Sequence, residues 1–126
     1  MTDQTAVRPQ LIPIPERVAA GAAFLDEHDP DWWRADVERA IDLETLNLES
    51  SNNCILGQRC PLEGHLPDRY MAYGSMLAGI RGNGFAVDAW ARPLGFQADP
   101  DSDQWEGEYD LLTVEWSRVI RERRSA

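Results

Sequence analysis

LESSNNCILGQRCPLEGH, residues 48–65, decides how the rest of the chain is read. It holds both cysteines, Cys54 and Cys60, and one of the two histidines, His65. If these side chains gather a metal or the thiols pair, the domain is a stapled one; if not, an apolar core must hold it together. Structural zinc sites draw four ligands, usually as two tight pairs. Here five residues separate Cys54 from Cys60, and His65 lies beyond four more, so a fourth ligand would have to be the distant His28 or a carboxylate. The C-x-x-C spacing of a redox pair is missing too. No metal ligand is therefore assigned, and Cys54, Cys60, His65 and His28 stand only as the candidate set. The reading that remains is a helix start. Ser50, Ser51, Asn52 and Asn53 are cap residues placed directly before an apolar run. A short helix is expected over 53–60, with Cys54 as a small buried apolar group and Gly57 allowing a close crossing.

A self-supporting core is within reach of 126 residues, 43% of them hydrophobic and five of them tryptophan. A chain of this length makes one domain and buries roughly two-thirds of its unfolded surface. No apolar run approaches the ~20 residues that span a bilayer, and no secretory leader is recognised at the N-terminus. The chain is expected in the cytoplasm, with reduced thiols. Its formal net charge of −10 repels phosphate backbones, so direct nucleic-acid binding is not expected. All twelve basic residues are arginine. Solvated surface cations need no such bias, which points to a GC-rich coding sequence.

Outward from the central stretch, the periodicity is helical. Residues 1–14, with prolines at 9 and 13, read as an extended N-terminal segment. From Pro15 a helix carries Val18, Ala22 and Leu25 on one face and ends at HDPD. Asp31 is placed to cap a second helix in which Trp33, Val37, Ala40 and Ile41 share a face. IDLETLNLES, 41–50, reads as irregular or 3₁₀. After the central helix, Asp68 caps a segment with Tyr70, Tyr73, Leu77 and Ile80 inward, and GNG at 82–84 stops it. Val87, Trp90 and Ala91 mark another short helix. A final one runs from Trp105 or Tyr109 to Arg121, with Tyr109, Leu112, Trp116, Val119 and Ile120 inward and arginines at its negative end. The expectation is an all-α, compact single-domain bundle of about five helices over 15–122, with a C-terminal tail at 123–126.

Candidate chemistry is thin. Asp99, Asp101 and Asp103 alternate like the ligands of a calcium loop, with Asp110 at its twelfth position. Gln104 stands where the loop's turn glycine belongs, so no calcium site is assigned. No nucleophile motif or phosphate-binding loop accompanies either histidine, and no catalytic residue is assigned. Trp33, Trp90 and Trp116 fall on apolar stripes; Trp32 and Trp105 fall off them beside acidic loops, read as partly covered packing residues and as the candidates for a partner surface.

GAAFLDEHDPDWW, IDLETLNLES, CILGQ, YGSMLAGI, GF and LLTVEWSRVI, taken in order over about 18–120, resemble a family of small uncharacterised proteins of actinobacteriophages and their hosts. The resemblance singles out Cys54, Gly57, Gln58, Tyr73 and Trp116 among others. Gln58, one turn from Cys54, is a buried amide that needs partners and is expected to tie loop backbone groups together. The chain is accordingly expected to be a non-enzymatic, phage-encoded acidic protein that binds a host or phage protein without a cofactor. The alternatives are a Cys/His metal-binding module or small metal-dependent enzyme, and an acidic mimic of nucleic acid that occupies a DNA-binding protein's basic groove.

Overall fold

The structure, a computed structural model, describes residues 12–81, 83–100 and 105–126, and for 105 and 106 the backbone alone. Most of the expected N-terminal segment lies outside those residues. Five α-helices appear in order: α1 (Ile14–His28), α2 (Ile55–Arg59), α3 (Arg69–Ala78), α4 (Gly84–Ala91) and α5 (Trp105–Arg124). A 3₁₀ turn (Arg92–Leu94) follows α4 directly. Among the described residues there is no strand. The fold is all-α.

Local chemistry explains most boundaries. Pro15 sits in the first turn of α1, where its missing N–H is not needed, and Glu16 lies near the positive helix end. Asp68 accepts a hydrogen bond from the Met71 N–H at 2.9 Å, and Asn83 accepts one from Ala86 at 3.1 Å. Gly79, with φ of 69°, closes α3 in the left-handed conformation.

The helices meet around an aromatic column. Trp32 stands edge-on to Trp116, whose ring stacks on Phe96 with centroids 5.4 Å apart. Phe96 in turn packs against Trp90. Trp116 is fully buried, and its indole N–H donates to the Gly95 carbonyl at 2.7 Å, so the polar atom is satisfied. α1 crosses this column at Gly21. A Cβ there would collide with the Leu94 carbonyl oxygen and stand 2.9 Å from the Trp116 ring. Val18, Leu25, Ile55, Leu56, Val87, Leu112 and Ile120 fill the remaining core.

Three features differ from the sequence reading, the first being that α3 ends at Ala78, capped by Gly79, ahead of the stop expected at 82–84. The helix expected after Asp31 does not form; residues 29–53 are turns and bends. Four of their backbone carbonyls are instead satisfied by arginines from elsewhere. Arg59 donates to the Glu38 and Arg39 carbonyls, both at 3.0 Å, while Arg124 donates to those of Trp33 at 2.8 Å and Ile41 at 2.7 Å. These tertiary bonds outweigh a weak local preference for helix. Arg39 itself has φ of 57°, which an α-helix cannot contain. α5 also continues through Arg124, beyond the tail boundary expected at 122. Its last turn is part of the packed body, since Arg123 forks onto Asp26 at 2.6 and 3.1 Å.

The Arg59–Asp29 pair ties these parts together. The guanidinium meets the carboxylate through two bonds, at 2.9 and 2.6 Å, and the Tyr73 hydroxyl donates to the same carboxylate at 3.0 Å. The Arg59→Met variant should lose about 3 kcal/mol of stability, because the buried carboxylate and two carbonyls are left unpaired. Tyr73→Phe should lose about 1 kcal/mol. Urea unfolding followed by tryptophan fluorescence measures both, and an Arg59→Met protein as stable as the parent would refute this role.

Candidate functional site

The central stretch forms a helix start, with an unexpected residue at the cap. Cys54, not one of the preceding Ser or Asn residues, is the N-cap of α2, and its Sγ accepts a hydrogen bond from the Gly57 N–H at 3.3 Å. A Cβ on Gly57 would run into the backbone of Ser51 and Asn52, so the turn closes only on glycine. Burial pushes the Cys54 thiol up to about 11, more than its bonds to backbone N–H groups pull it down. It is a protonated thiol at neutral pH, unsuited to nucleophilic attack.

Gln58 does what its position suggested. Its Oε1 accepts from the Asp42 N–H at 2.7 Å, while its Nε2 donates to the Asp42 and Asn53 carbonyls at 3.3 and 2.9 Å. One amide therefore clamps the irregular loop to α2.

The candidate metal ligands are not brought together. Cys60 is buried at the end of α2, His65 is exposed on the loop before α3, and His28 stacks on Phe24 at the end of α1. Among the described residues no three His, Cys, Asp or Glu side chains are grouped to hold a metal ion. In the calcium-like loop, Asp101 and Asp103 lie outside the described residues.

Of the two readings of Trp32, packing residue or partner surface, the structure favours packing. This residue is fully buried, its indole N–H donates to Asp26 at 2.9 Å, and Arg123 covers its ring at 5.2 Å. Its neighbour Trp33, assigned to the core from its stripe, is only half-buried. Without the expected helix after Asp31, the stripe had no face to define. The side chain of Trp105 lies outside the described residues.

What sequence reasoning missed is a polar cavity of about 210 Å³ between the 48–51 loop, Cys54, the start of α3, α4 and α5. Glu49, Asp68 and Asp88 line it together with Tyr70, Tyr109 and Gln97. The Tyr70 hydroxyl donates to Asp88 at 2.8 Å. Burial first, and then that carboxylate, push the Tyr70 phenol far above its ordinary range. Tyr109 is raised as well, by burial and then by Asp88 and Glu49, against a bond from Ala98 and the nearby charge of Arg92.

Several other acids of the molecule meet an arginine. Elsewhere Glu108 meets Arg17 at 2.8 Å, Asp29 meets Arg59 at 2.6 Å, Asp26 meets Arg123 at 2.6 Å and Glu115 meets Arg118 at 2.7 Å. Among the described residues, no arginine forms an ion pair with Glu49, Asp68 or Asp88, and none lines the cavity. With its thiol and Tyr70 phenol protonated, the cavity offers acceptors and negative charge, a site for attraction and hydrogen bonding.

The shift of Cys54 has a measurable consequence. The folded thiol titrates above its ordinary 9.0, so the fold holds this proton more tightly than the unfolded chain does. Its contribution to stability is intact below pH 9 and fades as the pH climbs toward 11. At pH 8, iodoacetamide should label Cys54 about a hundredfold more slowly in the native protein than in urea, as two pH units of lost thiolate require. Equal rates would contradict the cap geometry. No family model, no curated protein and no solved structure matches this chain.

Proposed function

We propose that the chain is a non-enzymatic, acidic protein-binding module. The observation that carries this reading is Phe85, which is 88% exposed at the start of α4. An aromatic ring left in water that way gives up a burial worth about 2 kcal/mol, which a partner surface would recover. Other exposed apolar side chains support it: Met76 near the end of α3, and Leu111 with Val114 on one face of α5. Aromatic anchors beside apolar contacts are the usual centres of binding energy at protein interfaces. The protonated state of Cys54 agrees with a role in packing.

The lysine-free composition and the resemblance described above support an origin in an actinobacteriophage or its host. The partner on this reading is a host or phage protein whose activity the module alters by occupying its surface.

Phe85 offers a clean test, because its ring contributes little to the core. Phe85→Ser should leave stability within about 0.5 kcal/mol of the parent. The same change should weaken partner binding more than about tenfold. Capture from actinobacterial lysate with parent and Phe85→Ser baits, quantified side by side, reads this directly. A protein held by the parent and lost by the variant supports the module. Recovery of the same proteins by both baits, or of nothing specific by either, refutes it.

A further inference from the structure

The outer face of α5 carries a pattern that the fold itself does not use. Gly107, Leu111, Val114, Arg118 and Arg121 stand exposed at alternating spacings of four and three residues, the repeat by which one helix lays a seam against another. The seam is polarised along its length. Its first half is apolar, with Leu111 50% and Val114 66% exposed and Asp110 at their edge, while its second half presents two arginines. We infer that this face receives the same face of a second copy of the chain, the two α5 helices lying antiparallel about a two-fold axis near Leu111 and Val114.

Charge selects both the occupant and its direction. Two chains of formal charge −10 repel each other at a distance, so a lasting contact has to be made where arginine is on offer. Asp110 and Arg121 are both exposed, and neither enters an ion pair among the described residues. With Leu111 packed on Val114 of the other copy, each Asp110 faces Arg118 and Arg121 across the seam. Helix side chains lean toward the N-terminus, which brings those guanidinium groups back toward the carboxylate. Arg118 is already engaged by Glu115 and Glu122 of its own helix, so Arg121 is the stronger partner. The two-fold repeats each pair, as a self-complementary contact requires. A parallel pairing would instead set acid against acid and arginine against arginine. Gly107 falls opposite Arg118 of the other copy, and a Cβ there would meet nothing within 4 Å in the single chain. A glycine weakens a helix interior, and here its missing side chain leaves room for the arginine stem. The inference goes beyond the reading above and refines it at α5: Leu111 and Val114 are kept for a copy of the chain, and Phe85 on α4 for the foreign partner.

Sedimentation equilibrium on the full chain should show a reversible dimer with a dissociation constant below about 100 µM. Val114→Glu changes an exposed position, so it should keep the fold while weakening association at least about tenfold. Asp110→Arg and Arg121→Asp each set like charges across the seam, and each alone should be monomeric. Mixed in equal amounts, the two variants should form a heterodimer, because the contacts between positions 110 and 121 then join opposite charges. A parent that stays monomeric overturns the inference; if Val114→Glu also loses a protein that the parent captures from lysate, the face belongs to that foreign partner. A dimer untouched by Val114→Glu, or a mixture of the two charge variants that stays monomeric, overturns it as well. Phe85→Ser should dimerise like the parent, and loss of the dimer in that variant would move the copy interface to α4 and sink the seam on α5. A dimer that follows the charge rule, with nothing specific captured from lysate, refutes the module and leaves the copy interface standing. Capture lost with Phe85→Ser from a monomeric parent does the reverse.

Discussion

The buried contact between Arg59 and Asp29 is the constraint on which the remaining architecture depends. Asp29 follows α1, Arg59 ends α2, and Tyr73 on α3 completes the set. The free edge of the same guanidinium reaches the carbonyls of Glu38 and Arg39. One side chain thus fixes two helix ends and the middle of a long loop. Isolating such a charge would be strongly unfavourable, so the pair is tolerated because all three guanidinium nitrogens and both carboxylate oxygens are engaged. A five-residue helix is far too short to persist by itself. α2 persists because both its ends are used: Cys54 caps the start, and Arg59 at the other end is locked into this cluster.

The absence of lysine acquires a structural meaning here. As a matter of composition it points only to the coding sequence. In the fold, several arginines act as branched donors to loop carbonyls. Arg69 reaches the carbonyls of Gly57, Cys60 and Leu62, and Arg124 reaches those of Trp33 and Ile41. Lysine, a single point charge on a flexible stem, could not hold such separated acceptors with the same geometry. A protein with so much irregular backbone must satisfy its buried carbonyls somehow. At positions 59, 69 and 124 the guanidinium does the work that helix hydrogen bonds do elsewhere.

Legibility from sequence follows the range of the interactions. The starts of α3 and α4 could be read because Asp68 and Asn83 cap through bonds three residues away. The Gln58 clamp was legible for a similar reason, since a buried amide must find partners. The 29–53 segment was not, because what holds it comes from α2 and from the far end of α5. The adjacent Trp32 and Trp33 make the limit plain. Which ring is buried depends on Asp26 and Arg123, separated from each other by 97 positions. The cap on α2 was misplaced since thiols are weak acceptors, and only the packed turn at Gly57 makes Cys54 fit. The cavity escaped notice entirely, its walls being drawn from residues 48 to 109.

That cavity sits where the molecule's own ordering logic stops. Tyr70 is buried in the core and yet hydrogen-bonded to Asp88, a carboxylate without a cationic partner among the described residues. An apolar pair at these positions would pack without that penalty, whereas Asp68 is placed by its role as the cap of α3. Repulsion among like charges lowers stability, and it is relieved when a cation enters. The rigid neighbours make the arrangement durable. Asp68 is pinned as the cap of α3, and Asp88 lies on the helix that feeds the Phe96–Trp116 stack. Asp68 and Asp88 are therefore held in place by the elements that carry them, while Glu49 stands exposed on the loop.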